Sequence, residues 1–377
     1  MHVRTTRGLA LVAVAAAAAL ALSGCAGSAA PKSGDGASVD FKTVKSAKDA
    51  GGLEALVAAA EKEGALNVIA LPHDWANYGE IIAAFKAKYP KIKMNEITPD
   101  ASSSEEIKAA EANKGTDQAP DVFDLGATVA LASTDYFAPY KVATWADVPD
   151  TLKDADGLYV ADIGGYVSVG YDSAKYPEPK SLDDLLKPEY KGAVALNGDP
   201  MKAGAAIAAV GWASVQSGGT LDDFTPGIDF FAKLNKAGNF VKVQATTATI
   251  VQGETPVVIN WDYLNATATE KVPTWKTVIL PGKGYAGYYF QAINVDAPHP
   301  AAARLWQEFL YTDEAQNMWL KGGARPSRGE AMAKAGTIDK ALYEKLPAAP
   351  TDAVLPTKEQ SKKAGETITE KWAAAVQ

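Results

Sequence analysis

The stretch "TPVVINWDYLNA" closes an apolar run on Trp261, Asp262 and Tyr263, an acid held between two aromatic rings. Aromatic faces beside a carboxylate suit an ammonium or similar cation, through charge-assisted hydrogen bonds and cation–π attraction of about 0.5–2 kcal/mol per contact. A carboxylate among aromatics is costly to desolvate unless a cation or a set of donors compensates it. His73, Asp74 and Trp75 form a second group of similar type, in the loop "PHDWANYGE" that follows the apolar "LNVIAL". Each residue also has a structural reading: Trp261 and the tyrosines as packing, Asp74 as support for the turn before Asn77, Trp75 as cover for the helix it precedes.

Catalytic chemistry has little to work with. "GKGYAG", Gly282 to Gly287, satisfies G-x-G-x-x-G, but a dinucleotide fingerprint needs a helix opening at its glycines, and the following "YYFQAIN" is aromatic and strand-like. It reads as a hinge loop. No G-x-S-x-G elbow occurs, and beyond the N-terminal segment the histidines are His73 and His299, which offers little for a zinc site or a Ser-His-Asp triad. His299, between two prolines, reads as a turn residue, and the sequon Asn265-Ala266-Thr267 as incidental. A net charge of −8 argues against nucleic acid, whose phosphates demand basic patches. No catalytic residue, cofactor or resident metal is expected.

At the N-terminus Arg4 and Arg7 precede an almost unbroken apolar run from Leu9 to Leu22, followed by Ser23, Gly24 and Cys25. The run is too short to span a hydrocarbon core of about 30 Å, and small residues at its end suit a peptidase, so residues 1–24 are expected to be a signal peptide. Cys25, the single cysteine, stands where "LSGC" resembles the bacterial lipoprotein cleavage box, in which the cysteine is lipidated. The small, polar "AGSAAPKSGDGASVD" then predicts a flexible tether over 25–50, with folding from near Gly51. No later segment is apolar enough to cross a membrane, so the body is expected on the extracytoplasmic face of the cell membrane, held by its lipid.

The elements that must position the candidate residues alternate between helix and strand. "GGLEALVAAAEKEG" places Leu53, Leu56, Val57 and Ala60 on one helical face and ends at Gly64. Asn77 with Glu80 predicts a capping box opening the helix that carries Ile81, Ile82 and Phe85. "KIKMNEIT", a polar helix from Ser104 to Lys114 and "PDVFDLGATVA" repeat the unit. "GGYVSVGYDSAKYP" alternates as a strand, Asp199-Pro200 predicts a helix start, and "TTATIVQGE" a short helix before the buried strand at Val257–Ile259. The alternation predicts an α/β fold with mostly parallel sheets.

Three phrases in order, "KPEYKGAVALNGDP", "TATIVQGETPVVINWDY" and "YYFQAINVDAPHPAAARLWQEFLYTDEAQNMWLKGGARPSR", together resemble the solute-binding lipoproteins of bacterial ABC importers, in the two-lobed family of iron, polyamine, phosphonate and thiamine binders. The resemblance implies a type II periplasmic-binding-protein architecture, two α/β lobes joined by two crossover strands near Val167–Tyr171 and Tyr285–Ile293, with a ligand in the cleft and hinge closure. It implies lobe 1 over 51–166 plus 285–325, lobe 2 over 167–284, and C-terminal helices over 326–377 packing across both. The implied partners are a small-molecule ligand and the membrane permease subunits; a monomer is expected.

On that fold, ligand contacts come from loops at strand carboxyl ends and from helix N-termini. Those loops supply His73, Asp74, Trp75, Thr128, Tyr166, Asp199, Trp261, Asp262 and Tyr263, and the returning strand adds Tyr289 and Gln291 on one face. Beyond the signal peptide the arginines are Arg304, Arg325 and Arg328, none in these loops, which tilts away from a purely anionic ligand. The ranking is a polyamine or other amine-bearing molecule, then an aminophosphonate or other zwitterion, then ferric iron. The iron binders carry two adjacent tyrosines where this chain has Asp262-Tyr263, although His73, Asp74, Asp262 and Tyr263 could make an oxygen-rich site. A secreted enzyme on the same fold is the remaining alternative.

Overall fold

The structure, a computed structural model, describes residues 39–350 and 352–376. The expected signal peptide, Cys25 and the first part of the tether lie outside the described residues. The remainder of the expected tether belongs to the fold, because the buried guanidinium of Arg304 donates from Nε to the Val44 carbonyl (2.7 Å) and from Nη2 to the Lys42 carbonyl (2.9 Å). Val44 and Ala50 are buried, so ordered chain begins ahead of Gly51.

Helix α1 (Leu53–Glu63), strand β1 (Ala65–Ile69), α2 (Tyr78–Lys88), β2 (Lys93–Ile97), α3 (Ser103–Ala112), β3 (Val122–Gly126), α4 (Ala127–Ala132) and β4 (Phe137–Ala138) make the first succession. Gly64 takes the left-handed conformation (φ 73°) that closes α1. β1 pairs with β2 in parallel and is tied toward β3 by Asp121, whose Oδ2 accepts the Asn67 N–H at 2.6 Å. Next comes the long strand β5 (Val160–Asp172), then β6 (Val194–Leu196), α5 (Gly204–Gln216), α6 (Thr225–Lys236), α7 (Thr247–Gln252), β7 (Val257–Trp261), α8 (Asp262–Thr267) and β8 (Trp275–Val278). Strand β9 (Ala286–Asn294) returns, followed by α9 (Pro300–Leu310), α10 (Asp313–Lys321), β10 (Arg325–Pro326), α11 (Gly329–Ala335), α12 (Lys340–Tyr343) and α13 (Lys358–Ala375).

The fold is the expected two-lobed α/β class, with one departure in strand direction. β1–β2 and β6–β7 are parallel, whereas β5 and β9 run antiparallel to each other, β9 to β3 and β4, and β5 to β7, β8 and β10. The reason is topological. β5 carries the chain outward and β9 brings it back, so two adjacent crossing strands must oppose one another. The first half of β5 pairs with β9 through Tyr166, and its second half with β7 from Val167 and with β8. Glycines make this strand passable: a Cβ on Gly165 would overlap the Asp262 carboxylate, and one on Gly170 would meet Asn265 and Trp275.

Two expected helix starts differ. Asn77 is left-handed (φ 67°), and its amide donates to Glu80 Oε2 and the Met318 carbonyl, both at 2.9 Å, instead of accepting a cap bond. Asp199 opens a turn, accepting the Met201 N–H at 3.0 Å, and α5 begins only at Gly204. Helix α13 buries Ser361, Ala364, Ile368 and Trp372 along one face; Trp372 meets Phe231 of α6 at 5.4 Å while Gly365 lies against Thr128 of α4.

Candidate functional site

The loops that end β1, β2 and β3 face those that follow β6 and precede β7 across a cavity of about 640 Å³, within the range of small-molecule sites. Asp74, Trp75 and Asp100 line the first wall, with the start of α3; Asp199, Lys202 and Thr247 line the second, with the start of α5. Trp75 stands edge-on to Tyr289 of β9, ring centroids 5.4 Å apart at 73°. The loop bearing Asp74 and Trp75 is held in a sparsely populated backbone conformation, with Ala70, Ala76 and Asn77 all at positive φ. Gly322, at the end of α10, fits against this loop so closely that a Cβ would lie 2.8 Å from Asn77 Cβ.

The two walls touch. Thr247 Oγ1 donates to Asp74 Oδ2 at 2.8 Å, and Ser104 Oγ donates to the Lys202 carbonyl at 3.2 Å. Below them Gly126 and Gly204 meet backbone to backbone: a Cβ on Gly126 would sit 2.8 Å from Gly204 Cα, and one on Gly204 2.9 Å from Gly126 Cα.

The floor is acidic and buried. Glu106 and Asp124 line it, both buried, with the Asp124 N–H donating to Glu106 Oε2 at 3.0 Å. Asp124 Oδ1 is buried with no hydrogen-bond partner. Behind them Tyr78 Oη lies 2.9 Å from Asp124 Oδ2 and 3.1 Å from Asp162 Oδ2, and Gln291 Nε2 donates to both Tyr78 Oη (3.0 Å) and Asp162 Oδ2 (2.8 Å). Burial, and then the charge of a neighbouring carboxylate, push Glu106 and Asp124 well above the usual carboxylate range; Asp162 is raised by burial against its hydrogen bonds. The acids lining the cavity are Asp74, Asp100, Glu105, Glu106, Asp124 and Asp199, against the single base Lys202.

Of the residues expected from sequence, Asp74, Trp75, Asp199 and Tyr289 line the cavity. The others are placed elsewhere. His73 is exposed, bonds Glu96 at 2.5 Å and is not among the residues that line the cavity. Thr128 faces α13 at Gly365, and Gln291 lies in the carboxyl network behind the floor. The Tyr166 ring lies under the Arg325 guanidinium at 5.0 Å. The triplet Trp261, Asp262 and Tyr263 is buried at the turn from β7 into α8: the Trp261 indole covers Gly287, and the Tyr263 phenol is enclosed. Asp262 Oδ1 accepts the N–H groups of Tyr166 (3.0 Å) and Tyr263 (3.1 Å), while Oδ2 faces Arg325 Nη2 at 3.9 Å. Burial pushes its carboxyl up to about 6, and those donors and Arg325 offset part of that cost; the carboxylate thus pins α8 to β5, and the triplet is not among the residues that line the cavity. Asp262→Ala is accordingly expected to lower the melting temperature of the ligand-free protein, at about 2–4 kcal/mol for two stranded N–H groups, whereas Asp262→Asn, which keeps the Oδ1 acceptor and gives up only the 3.9 Å contact with Arg325, stays close to wild type. Thermal denaturation of the two variants checks this, and a wild-type melting curve for Asp262→Ala would refute it.

Asp124 and Glu106 were not among the expected site residues. Their signals were present: Asp124 interrupts the apolar strand "VFDLG", and Glu106 shares a helical face with Ser103, Ile107 and Ala110. Among the described residues no group of three or more His, Cys, Asp or Glu side chains is arranged to hold a metal ion, and no helix is long and apolar enough to cross a membrane.

The model of the family described as bacterial extracellular solute-binding protein matches residues 117–350. No curated protein matches the chain. Solved structures with the same fold include the periplasmic binding protein AfuA from Actinobacillus pleuropneumoniae with bound fructose-6-phosphate, at TM-score 0.66 and 17% identity over 83% of this chain and 98% of that one. The spermidine/putrescine ABC transporter substrate-binding protein PotD from Streptococcus pneumoniae matches at TM-score 0.57 and 13% identity, over 83% and 99%. Iron-bound HitA from Pseudomonas aeruginosa matches at TM-score 0.60 and 18% identity, over 81% and 97%.

Proposed function

The chain belongs to the bacterial extracellular solute-binding proteins, and from that premise we propose that it is the capture subunit of an ABC importer whose solute bears an ammonium group. The family places it outside the cytoplasm and among binding proteins. The observation that carries the solute class is the floor of the cavity, where the buried pair Glu106 and Asp124 leaves Asp124 Oδ1 unpartnered and, among the described residues, no cation compensates either acid. A cation entering beside them is stabilised in a low-dielectric setting, and Trp75 and Tyr289 offer it aromatic surface. Capture then consists of closing the lobes about the strands β5 and β9, with no bond made or broken in the solute, and the protein acts as a monomer that delivers to membrane permease subunits.

A zwitterion is the second reading, favoured by Lys202 on the wall opposite Asp74. Ferric iron is disfavoured by the placement of His73 on Glu96 and of Asp262 under Tyr166. Native mass spectrometry and melting shifts with a panel of polyamines, aminophosphonates, sugar phosphates and ferric ion test the assignment. Stoichiometric retention of an unchanged amine is expected; retention of a sugar phosphate or ferric ion alone, or turnover of the bound molecule, would overturn it.

The membrane attachment proposed for Cys25 has its own test. Cys25→Ala is expected to move the protein from the detergent phase to the aqueous phase on partitioning, and equal retention of both forms would remove the lipid anchor.

A further inference from the structure

The carboxyl network below the cavity has a hydrogen shortage that its geometry makes countable. A tyrosine hydroxyl carries one hydrogen, and an ionised carboxylate only accepts. Tyr78 Oη nevertheless stands within hydrogen-bond distance of two carboxyl oxygens, Asp124 Oδ2 and Asp162 Oδ2, while also receiving the amide hydrogen of Gln291. With both aspartates ionised, one of the two contacts would set lone pair against lone pair. A proton on one carboxyl turns both into hydrogen bonds.

We propose that Glu106, Asp124 and Asp162 hold a proton between them in the empty cleft and release it when the cationic group of the solute enters beside Asp124, so that capture exchanges one cation for another. The proposal rests on the amine reading above. The groups that face Asp124 from the elements around it are Tyr78 of α2, Glu106 of α3, Asp162 of β5, Tyr263 of α8, Tyr289 of β9 and Tyr311 after α9. All are acids or phenols, so among the described residues no base beside Asp124 shares the charge. Burial and mutual repulsion hold the carboxyls protonated further into the neutral range than free carboxylates, and Asp124 Oδ1, unpartnered, has no donor to favour its ionised form. An ammonium in the cavity reverses this balance: the carboxyl ionises, its proton passes to solvent, and the ammonium and carboxylate charges compensate each other. The proton count then ties affinity to pH. Between the carboxyl's pKa with solute bound and its higher pKa in the empty cleft, affinity rises with pH, up to about tenfold per unit for one proton exchanged.

The purified protein is tested with spermidine as the probe. The infrared carbonyl stretch of a protonated carboxylic acid is expected in the ligand-free protein at neutral pH, lost on adding spermidine and diminished in Asp124→Asn and Glu106→Gln. Calorimetry in two buffers of different ionisation heat is expected to show up to one proton released per spermidine bound, with Kd falling as pH rises. If the acid stretch is missing from the ligand-free protein, or spermidine binds with no proton released, the exchange is wrong and the amine reading stands. If spermidine and the other amines of the panel fail to bind while a neutral or anionic solute binds with the acid stretch retained, the amine reading is wrong and the exchange falls with it. Tyr78→Phe supplies a further check: with the bridging hydroxyl gone, proton release is expected to change in number or midpoint.

Discussion

Asp124→Asn is expected to weaken binding of an ammonium-bearing solute by about 1.5–3 kcal/mol, one to two orders of magnitude in Kd, with a ligand-free melting temperature at or above that of wild type. The substitution keeps the shape of the side chain and removes a carboxyl whose ionised form burial and Asp162 disfavour. Asn Oδ1 can still accept at the Tyr78 hydroxyl, 2.9 Å away in the wild type, so the fold loses little. What is lost is the carboxylate that pairs with the cation once it is in the cavity. Titration calorimetry of the variant with the amine retained by the wild type is the measurement. An unchanged Kd would show that the cavity recognises its solute by shape or by the acids of the rim, Asp74 and Asp199.

Gly126→Ala and Gly204→Ala carry the second large effect, on closure. Each introduces a single methyl where the two walls meet backbone to backbone, and that Cβ would lie 2.8–2.9 Å from the facing glycine's Cα, closer than real Cβ atoms come, with no flexible side chain there to move aside. Neither position needs glycine for its own backbone: Gly126 has φ −58° and Gly204 begins a helix. The methyl therefore acts only by holding the walls apart, which also stretches the Thr247–Asp74 hydrogen bond of 2.8 Å. Binding weaker by at least about tenfold is expected, the cost of about 1.4 kcal/mol for an imperfectly closed site. In X-ray scattering, solute is expected to compact the wild type and to leave the variants extended. Normal affinity with wild-type compaction in both variants would mean that the glycine contact is not part of closure.

Much of the site's framework was legible in local patterns. The run at Val257–Ile259 became β7, "TTATIVQGE" became α7 ending at left-handed Gly253, and Gly64 ended α1, because continuous apolar runs, caps and left-handed glycines are determined by neighbours in the chain. The loop after β1 reached the cavity with Asp74 and Trp75 for the same reason, since a strand's carboxyl end must open somewhere and Pro72 turns it there. Those features depend on a few adjacent residues, and the sequence by itself determined them.

Which acid holds a cation and which holds a helix was decided only in three dimensions. Asp262 and Asp124 look alike in sequence, each a carboxylate at or within an apolar strand. Asp262 finds the N–H of Tyr166, 96 residues away, which offsets part of its burial. Asp124 finds Glu106, Tyr78 and Asp162, three groups that add acidity or share a single hydrogen, and one of its oxygens is left over. Burial raises both carboxyls; the donors that offset it come from distant strands and helices. The same holds for Arg304, which ties down Lys42 and Val44 from the far end of the chain and makes part of an expected tether into folded structure. Spacing along the sequence specifies elements and their ends, but whether a buried charge is paired depends on what the fold brings across from elsewhere, and that is a property of the tertiary structure alone.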